Sequence, residues 1–276
     1  WPDLTCREII ITTKGDRVLD KPLPEIGGKG LFTYELELAI LEGRVDAAVH
    51  SLKDLPTDDV PGLIVDIYPK RADVRDVWIC PQGYSLDDLP AGSIVGTSST
   101  RRTAQLLAYR PDLKVEPIRG NVDTRIQKTV DGQYDAIILA YAGLERLGLL
   151  DAAGQILPLE LMLPAPGQGA LGIQCRDDPR SVEILALLNH PETRAAVAAE
   201  RSFLSGLGGG CSVPIAAYAN LDGDRLSLVG RVAALNGTRQ IDVRGQSTQV
   251  DANQLGHQLA VEALAQGAAE LLGEGE

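Results

Sequence analysis

A single cysteine, Cys211, follows three glycines in the run Leu207-Gly-Gly-Gly-Cys-Ser-Val-Pro214. The glycines remove side chains from the approach to the thiol and allow backbone conformations that other residues resist. Pro214 restricts the backbone on the far side. Such a loop suits covalent attachment of a bulky group, whereas the alternative is a small apolar residue that fills a loop. On this segment alone we favour the second interpretation, and the rest of the chain reverses that preference.

Arginines recur where three predicted strands end, over 93–95, 114–118 and 134–140, each followed by a helix. Ligands of open α/β sheets bind beyond the carboxyl ends of the strands, where helix N-termini also favour anions. One such arginine is more often a surface residue. Five of them, in an acidic chain, predict a cleft for a ligand with several carboxylates or phosphates, because Arg forms paired hydrogen bonds with such groups. The five are Arg101, Arg102, Arg119, Arg125 and Arg146.

Lys53 and Asp54 follow an apolar segment, 46–52, which we predict to be a buried strand. Adjacent Lys and Asp residues are usually a loop ion pair of little consequence. In a cationic cleft, however, Asp54 would relay protons and stabilise a positive intermediate. Asp16, after another predicted strand, is a second candidate. His50 is expected to be a core residue, or one that supports a site residue, and not a catalyst. The segment 97–99 lacks the strained nucleophile turn of hydrolases, which argues against acyl transfer.

Composition excludes several classes of protein. The 276 residues are enough for two or three domains. The net charge of −12 argues against a nucleic-acid partner. No apolar run approaches the ~18 residues of a membrane span, so we predict a soluble protein. The four cysteines form no Cys-x-x-Cys pair and the three histidines lie far apart, which argues against a metal site and suits a reducing compartment.

Apolar runs alternate with amphipathic segments up to about residue 188, which indicates βα units with largely parallel sheets. We predict a strand over 8–13, a helix over 31–42 and a crossover over 67–75. A Gly/Pro-rich hinge over 163–170 then leads to a strand, 171–175, that returns to the first unit.

The pattern changes after residue 191. A helix over 192–204, three strands over 215–220, 225–235 and 240–244, and a closing helix over 253–272 indicate a small α+β domain. Asn236-Gly237 is a hairpin signal between the last two strands. The predicted fold is therefore two α/β lobes around a cleft plus a C-terminal α+β domain with helices on one face of an antiparallel sheet. The predicted boundaries are 1–70 with 170–188 for lobe 1, 71–169 for lobe 2 and 189–276 for the C-terminal domain.

Five motifs, in the same order along the chain, resemble those of the porphobilinogen deaminase (hydroxymethylbilane synthase) family. They lie at 27–32, 50–56, 96–102, 119–122 and 209–214. The resemblance implies two lobes like those of periplasmic binding proteins, a third α+β domain, and a dipyrromethane cofactor held by a thioether to Cys211. It also implies a transferase that deaminates four porphobilinogen molecules and joins them head to tail onto this Cys-linked primer. Hydrolysis then releases hydroxymethylbilane for haem or chlorophyll biosynthesis.

The resemblance also implies roles for individual residues. Asp54, with Lys53, is the expected catalytic group. The expected cofactor-binding residues are Cys211, Asp16, Lys53, Asp54, Thr97, Ser98, Ser99, Arg101, Arg102, Arg119, Gly120, Arg125 and Gln168. The expected substrate-binding residues are Arg119, Arg125, Arg146, Phe32 and Lys29.

The chain departs from the family pattern in three places. Gly208 stands where the family usually has Glu, so we expect a looser Cys211 loop. Thr100 stands where the family often has Leu, which we expect to be a minor change. The chain also starts after the family's first strand and most of its first helix, so we expect an incomplete first lobe and lower stability and activity. We expect a monomer in the cytoplasm, or in the plastid of a plant or alga, with no membrane, nucleic-acid or metal partner. The alternative function is a two-lobed polycarboxylate-binding protein without catalysis.

Overall fold

The structure is a computed structural model that describes residues 4–13, 33–209 and 213–273. Its α-helices are α1 (Tyr34–Leu41), α2 (Thr100–Tyr109), α3 (Val122–Val130), α4 (Tyr141–Leu147), α5 (Pro179–Ala186), α6 (Pro191–Gly206), α7 (Ala252–Ala265) and α8 (Ala268–Gly273). Its strands are β1 (Ala47–Ser51), β2 (Leu63–Ile67), β3 (Asp76–Ile79), β4 (Ile94–Gly96), β5 (Lys114–Glu116), β6 (Ala136–Ala140), β7 (Gln155–Ile156), β8 (Leu171–Arg176), β9 (Ile215–Asp222), β10 (Arg225–Ala233) and β11 (Gln240–Thr248).

The first lobe is built on a sheet of order β1-β8-β2, in which β8 is central and antiparallel to both neighbours. The strand predicted to return from the hinge is therefore confirmed. Along β1 the side chains alternate, with Ala48 and His50 buried and Val49 63% exposed. His50 Nε2 lies 2.9 Å from Gln174 Oε1, and burial lowers the His50 pKa more than this contact raises it. The prediction that His50 is a core residue is confirmed.

The second lobe has a five-stranded sheet of order β5-β4-β6-β3-β7. Both faces are covered, because all four residues of β3 are buried. Trp78 and Leu106 pack on one face, and Ile79 and Leu144 on the other. Burial on both faces explains why these strands have continuous apolar runs instead of an alternating pattern.

The prediction of largely parallel sheets is wrong for the described residues. Only the β4–β5 and β4–β6 pairs are parallel, and the other described pairs are antiparallel. The cause is the chain's two passages between lobes. Strand β3 leads into the second lobe and β8 leads back into the first, and each runs against its neighbours.

The strand predicted over 8–13 is also wrong. Residues 4–13 have no regular secondary structure, and Ile9 and Ile10 are 47% and 87% exposed. A strand needs a hydrogen-bonded neighbour as well as suitable residues. The three sheets of the described residues do not include this segment.

The C-terminal domain has an antiparallel sheet of order β11-β10-β9, covered by α6, α7 and α8. Phe203 fills its core, and its ring occupies the space where a side chain at Gly230 would lie. The predicted hairpin is confirmed, with Gly237 at a φ of 74° in the turn between β10 and β11. The predicted closing helix is two helices, because the chain bends at Gly267, where φ is 96°.

Candidate functional site

Strand β1 ends in a short 3₁₀ turn, Leu52–Asp54, which presents the predicted acid–base pair. Leu52 is 1% exposed, and its N–H donates to Ala170 O at 3.1 Å, so the turn is fixed to the second passage between lobes. Lys53 is therefore partly buried, whereas Asp54 is exposed. An exposed carboxylate on a fixed turn is accessible to a bound ligand.

The loop between β4 and α2 uses all three of its hydroxyl groups for its own shape. Thr97 Oγ1 accepts from Ser99 N–H at 3.2 Å. Ser98 Oγ donates to Ile118 O at 2.8 Å and accepts from its N–H at 3.1 Å. Ser99 is the N-cap of α2, and its side chain accepts from Arg102 N–H at 3.4 Å. The loop therefore fixes α2 and joins it to the end of β5.

Arg101 and Arg102 are buried, at 4% and 6% exposure, and share the carboxylate of Asp76. Arg102 Nη2 donates to Asp76 Oδ1 at 2.7 Å, and Arg101 Nη1 lies 2.8 Å from Asp76 Oδ2. Each guanidinium also donates to a carbonyl, Leu163 O for Arg101 and Ile138 O for Arg102, at 2.7 and 2.9 Å. Burial raises the pKa of Asp76, but the two guanidinium charges outweigh it and hold that pKa well below its usual value.

Gln168 links this arginine pair to Lys53 across the hinge. Its Nε2 donates to Asp76 Oδ1 at 2.9 Å and to Val74 O at 2.7 Å, and its Oε1 accepts from Lys53 Nζ at 3.4 Å. Burial lowers the pKa of Lys53 to about 8, assisted by the charges of Arg102 and Arg101 and opposed by Asp54 and Asp76. The structure thus brings Lys53, Gln168 and the arginine pair together.

Arg119 and Arg125 lie at the next strand end and are partly buried. Gly120 has a φ of 116°, a conformation that favours glycine, and its carbonyl accepts from Arg125 Nε at 2.7 Å. Burial lowers the pKa of Arg125, as do the charges of Arg102 and Arg119, whereas Asp54 opposes them. Positive charge from two strand ends therefore accumulates close to Asp54.

Arg146 has a different position from the other four arginines. It is exposed on α4, and its Nη2 donates to Gly169 O at 2.8 Å. The contact ties the second lobe to the hinge that leads into β8. Four predicted residues, Asp16, Lys29, Phe32 and Cys211, lie outside the described residues.

The described residues before Cys211 close helix α6 in a defined way. Gly208 has a φ of 66°, its N–H donates to Ser205 O at 2.9 Å, and Gly209 N–H donates to Leu204 O at 3.0 Å. These two bonds form the Schellman ending, which favours glycine at the position of Gly208. Gly208 therefore terminates the helix.

Sequence reasoning missed a second buried charge, Glu200 on α6, which is 0% exposed. Arg71 donates to both of its oxygens, at 2.7 and 2.9 Å, and the N–H groups of Gly167 and Ala219 donate at 2.7 and 2.8 Å. One carboxylate thus joins both passages between the lobes to strand β9. A signal existed, because the spacing from Ala196 and Phe203 places Glu200 on the buried face of α6.

The neighbouring Arg201 was missed as well, and it holds the turn that carries Asp54. Its Nη1 donates to Leu55 O at 3.0 Å and its Nη2 to Pro56 O at 2.7 Å. Backbone carbonyls carry no residue-specific signal, so the sequence gives no indication of this contact. Asp76 was missed for a different reason, since its side-chain partners lie at least 25 residues away along the chain.

Comparison with known proteins identifies the family of this chain. Residues 3–184 match the family described as "Porphobilinogen deaminase, dipyromethane cofactor binding domain", and residues 194–265 match "Porphobilinogen deaminase, C-terminal domain". The chain belongs to the porphobilinogen deaminase family. The predicted family, fold class, enzyme class and dipyrromethane cofactor are thereby confirmed, and the polycarboxylate-binding alternative is not favoured.

Relatives named porphobilinogen deaminase match over nearly the whole chain. The protein of Brevibacillus brevis is 49% identical over 96% of this chain and 85% of its own length. The protein of Geobacter metallireducens is 48% identical over 99% of this chain and 86% of its own length. The protein of Moorella thermoacetica is 49% identical over 99% of this chain and 88% of its own length.

Solved structures with a similar fold are distant. An ancestral cationic amino acid solute-binding protein is 18% identical, with a TM-score of 0.35 over 55% of this chain and 64% of its own. The VFT2 domain of Bordetella pertussis BvgS is 15% identical. Its match has a TM-score of 0.34 and covers 61% of this chain and 72% of that domain's chain. At these scores the likeness carries no conclusion about ligand or mechanism.

The described residues fit a cofactor that bears carboxylates. The Nε atoms of Arg101 and Arg102 are buried and have no hydrogen-bond partner within the described ranges. Arg125 stands in an excess of positive charge that a bound anion would neutralise.

Over the same described ranges, no helix is both long and apolar enough to cross a membrane, and no cluster of three or more His, Cys, Asp or Glu side chains has metal-binding geometry.

Proposed function

We propose that this chain catalyses the porphobilinogen deaminase reaction. Four porphobilinogen molecules each lose ammonia and are joined head to tail onto a dipyrromethane on Cys211, and water then cleaves the bond between the dipyrromethane and the four added rings, which releases hydroxymethylbilane. The proposal rests on the family, and on relatives of that name that share about half of their residues with almost the whole chain.

The observation that carries the site assignment is the meeting of two lobes. The Lys53–Asp54 turn comes from the first lobe, and its charges act on Arg101, Arg102 and Arg125 of the second. When bound, the dipyrromethane supplies the pyrrole carbon onto which substrate is joined. Asp54 stabilises the positive charge that develops on substrate as ammonia leaves, and it favours this state over neutral substrate.

The cationic residues bind and orient the acetate and propionate groups of the pyrroles. Arg119 and Arg125 bind them at the partly exposed end of the site, together with Gly120. The unpartnered Nε donors of Arg101 and Arg102 assist at the buried end. Lys53, whose pKa is about 8, retains its charge at neutral pH.

The remaining predicted assignments belong to this proposal. Thr97, Ser98 and Ser99 shape the cofactor loop, and Asp16, Lys29, Phe32 and Arg146 complete the site. The domain boundaries lie near residues 70, 170 and 189. The protein is a monomer and acts in the cytoplasm, or in the plastid of a plant or alga.

Mass measurement under denaturing conditions tests the cofactor. The expected mass is that of the chain plus two pyrrole units, and Cys211→Ser is expected to have the bare mass. The hydroxyl of serine is a far weaker nucleophile than a thiol near neutral pH. A bare wild-type mass without turnover favours the polycarboxylate-binding alternative. A normal adduct on Cys211→Ser removes Cys211 from the mechanism.

Single-turnover formation of enzyme–substrate adducts tests the catalytic group. Asp54→Asn retains shape but removes the charge, so adduct formation is expected to slow by about 10²-fold or more. Asp59→Asn, at an exposed position of the same loop, is the matched control. Equal rates for wild type and Asp54→Asn would assign charge stabilisation to another residue, with Asp16 the next candidate.

A further inference from the structure

Asp76, at the start of β3, is a buried carboxylate for which the proposed reaction has no use. It is 0% exposed, although carboxylates are almost never fully buried unless they are paired. Moving a charged group from water into the protein interior costs roughly several kcal/mol, even after the surroundings relax. A residue of this kind is retained only if its partners compensate for that cost.

The partners of Asp76 are the two buried arginines of the site. Its carboxylate receives Arg102 Nη2 at 2.7 Å and lies 2.8 Å from Arg101 Nη1. Arg101 Nη1 also donates to Leu163 O, and Arg102 Nη1 donates to Ile138 O. Arg102 is therefore held through both terminal nitrogens and Arg101 through Nη1, which contacts two acceptors, and these contacts orient the unpartnered Nε of each guanidinium.

The same carboxylate also fixes the orientation of an amide. Gln168 Nε2 donates to Asp76 Oδ1 and to Val74 O, so both of its N–H groups have acceptors. Its Oε1 is consequently directed at Lys53 Nζ, 3.4 Å away. An amide turned by 180° would present its NH₂ group to the lysine and could not accept a hydrogen bond from it.

We propose that Asp76 is a positioning residue that aligns Arg101, Arg102 and, through Gln168, Lys53 for the carboxylates of the pyrroles. The proposal rests on the proposed function, because that function identifies the ligand. Asp76 itself does not touch substrate. It acts across the hinge, since it lies on the first strand of one lobe and Lys53 lies on the turn of the other.

The charges around Lys53 provide a readout that a purely structural role would not change. Asp54 and Asp76 raise the pKa of Lys53, whereas burial, Arg102 and Arg101 lower it to about 8. Removing the charge of Asp76 takes away a stabilising anion and leaves both guanidinium charges in place. The Lys53 ammonium would then lose its proton at lower pH.

The experiment measures the acetylation of Lys53 as a function of pH, by peptide mass spectrometry, in the wild type and Asp76→Asn. The midpoint in the wild type is expected near pH 8. In Asp76→Asn it is expected to fall by about one pH unit or more. Asp73→Asn, on the same segment, is the matched control because Asp73 pairs with Arg75, and its midpoint is expected to equal that of the wild type.

A second variant covers the case in which Asp76→Asn does not fold. Gln168→Met breaks the link to Lys53 and leaves both arginine ion pairs in place. The Lys53 ammonium then loses an acceptor, so its midpoint is expected to fall here as well. Unchanged midpoints in the folded variants would overturn the proposal.

Cofactor content separates this proposal from the proposed function. Asp76→Asn is expected to carry less dipyrromethane than Asp73→Asn by denaturing mass. If the wild type itself carried none, the proposed function would fail, while the Lys53 midpoints would still report whether Asp76 positions its neighbours. A wild-type cofactor content in Asp76→Asn, together with a wild-type midpoint, would show that Asp76 is only structural.

Discussion

The two arginine groups of the second lobe use the same residue type in opposite ways. Arg101 and Arg102 are buried, and their charges are balanced in part by Asp76. Arg119 and Arg125, one strand away, are partly exposed, and the pKa of Arg125 is lowered by burial and by neighbouring positive charge. One group is part of the protein interior, whereas the other faces outward with surplus charge.

The difference shows that position at a strand end does not by itself define a ligand-binding side chain. A buried guanidinium with a carboxylate partner contributes first to the fold, because removing either partner leaves an uncompensated charge. A partly exposed guanidinium contributes mainly to binding. Substitutions in the two groups should therefore separate stability from affinity.

The largest expected effect is on stability, at the buried pair. Arg102→Leu leaves Asp76 with one guanidinium partner fewer in an apolar environment, so we expect a loss of about 3–5 kcal/mol in the free energy of unfolding. Urea denaturation measures this loss, with Arg180→Leu, at an exposed position, as the control. A loss below about 1 kcal/mol would show that the pair is not part of the interior.

Affinity is the property expected to change in the second group. Arg119→Lys keeps the charge but loses the paired hydrogen bonds, so binding of pyrrole carboxylates should weaken by about 1.5–3 kcal/mol. The melting temperature should stay at the wild-type value. Calorimetric titration with porphobilinogen, together with thermal denaturation, measures both. A fall in melting temperature without loss of affinity would place Arg119 with the buried group.

Lys53 reports whether the buried charges act across the hinge. Its folded pKa of about 8 lies below the ordinary value of 10.5, so between these values the unfolded chain binds more protons than the folded one. Stability of the wild type relative to Lys53→Met should therefore rise from pH 8 to pH 10.5 and be constant below pH 8. Denaturation at a series of pH values measures the difference, and a difference independent of pH would contradict the lowered pKa.

The smallest expected effect involves no charge. Gly208 ends α6 at a φ of 66°, and Gly208→Ala should cost about 1 kcal/mol because alanine resists this conformation. Gly209 is not an equivalent control, since a side chain there would lie 2.7 Å from Leu204 and Ile215. Gly132→Ala, at a φ of 76° in open space, is the matched control for backbone strain alone. A loss clearly larger than that of Gly132→Ala would show that the loop after α6 depends on more than the turn.

Much of this architecture could be predicted from local patterns. The helices, the hairpin at Gly237 and the return of β8 follow from periodicity and turn residues, which act over short distances. Motif resemblance supplied the family and its cofactor. Residues 8–13 show the limit, since their apolar pattern suits a strand but pairing depends on a neighbour that the local sequence does not specify.

The direction of the strands and the partners of the buried charges could not be predicted. Both depend on contacts between distant segments, such as Arg71 with Glu200 and Asp76 with Gln168. The sequence distinguishes Arg101 from Arg119 only through Asp76, which stands 25 residues before the first of them. A resemblance that assigns both arginines to one ligand does not reveal that difference.

The central place of β8 has a consequence for the order in which the molecule is completed during synthesis. Strands β1 and β2 do not pair with each other and must wait for β8, more than 100 residues later, before either has a partner in the described sheet. The sheet of the second lobe needs only residues 76–156, so it is complete first. The described sheet of the first lobe is therefore completed only after that of the second. The lobe that carries Asp54 is the late one, and its turn is held only after Arg201 emerges.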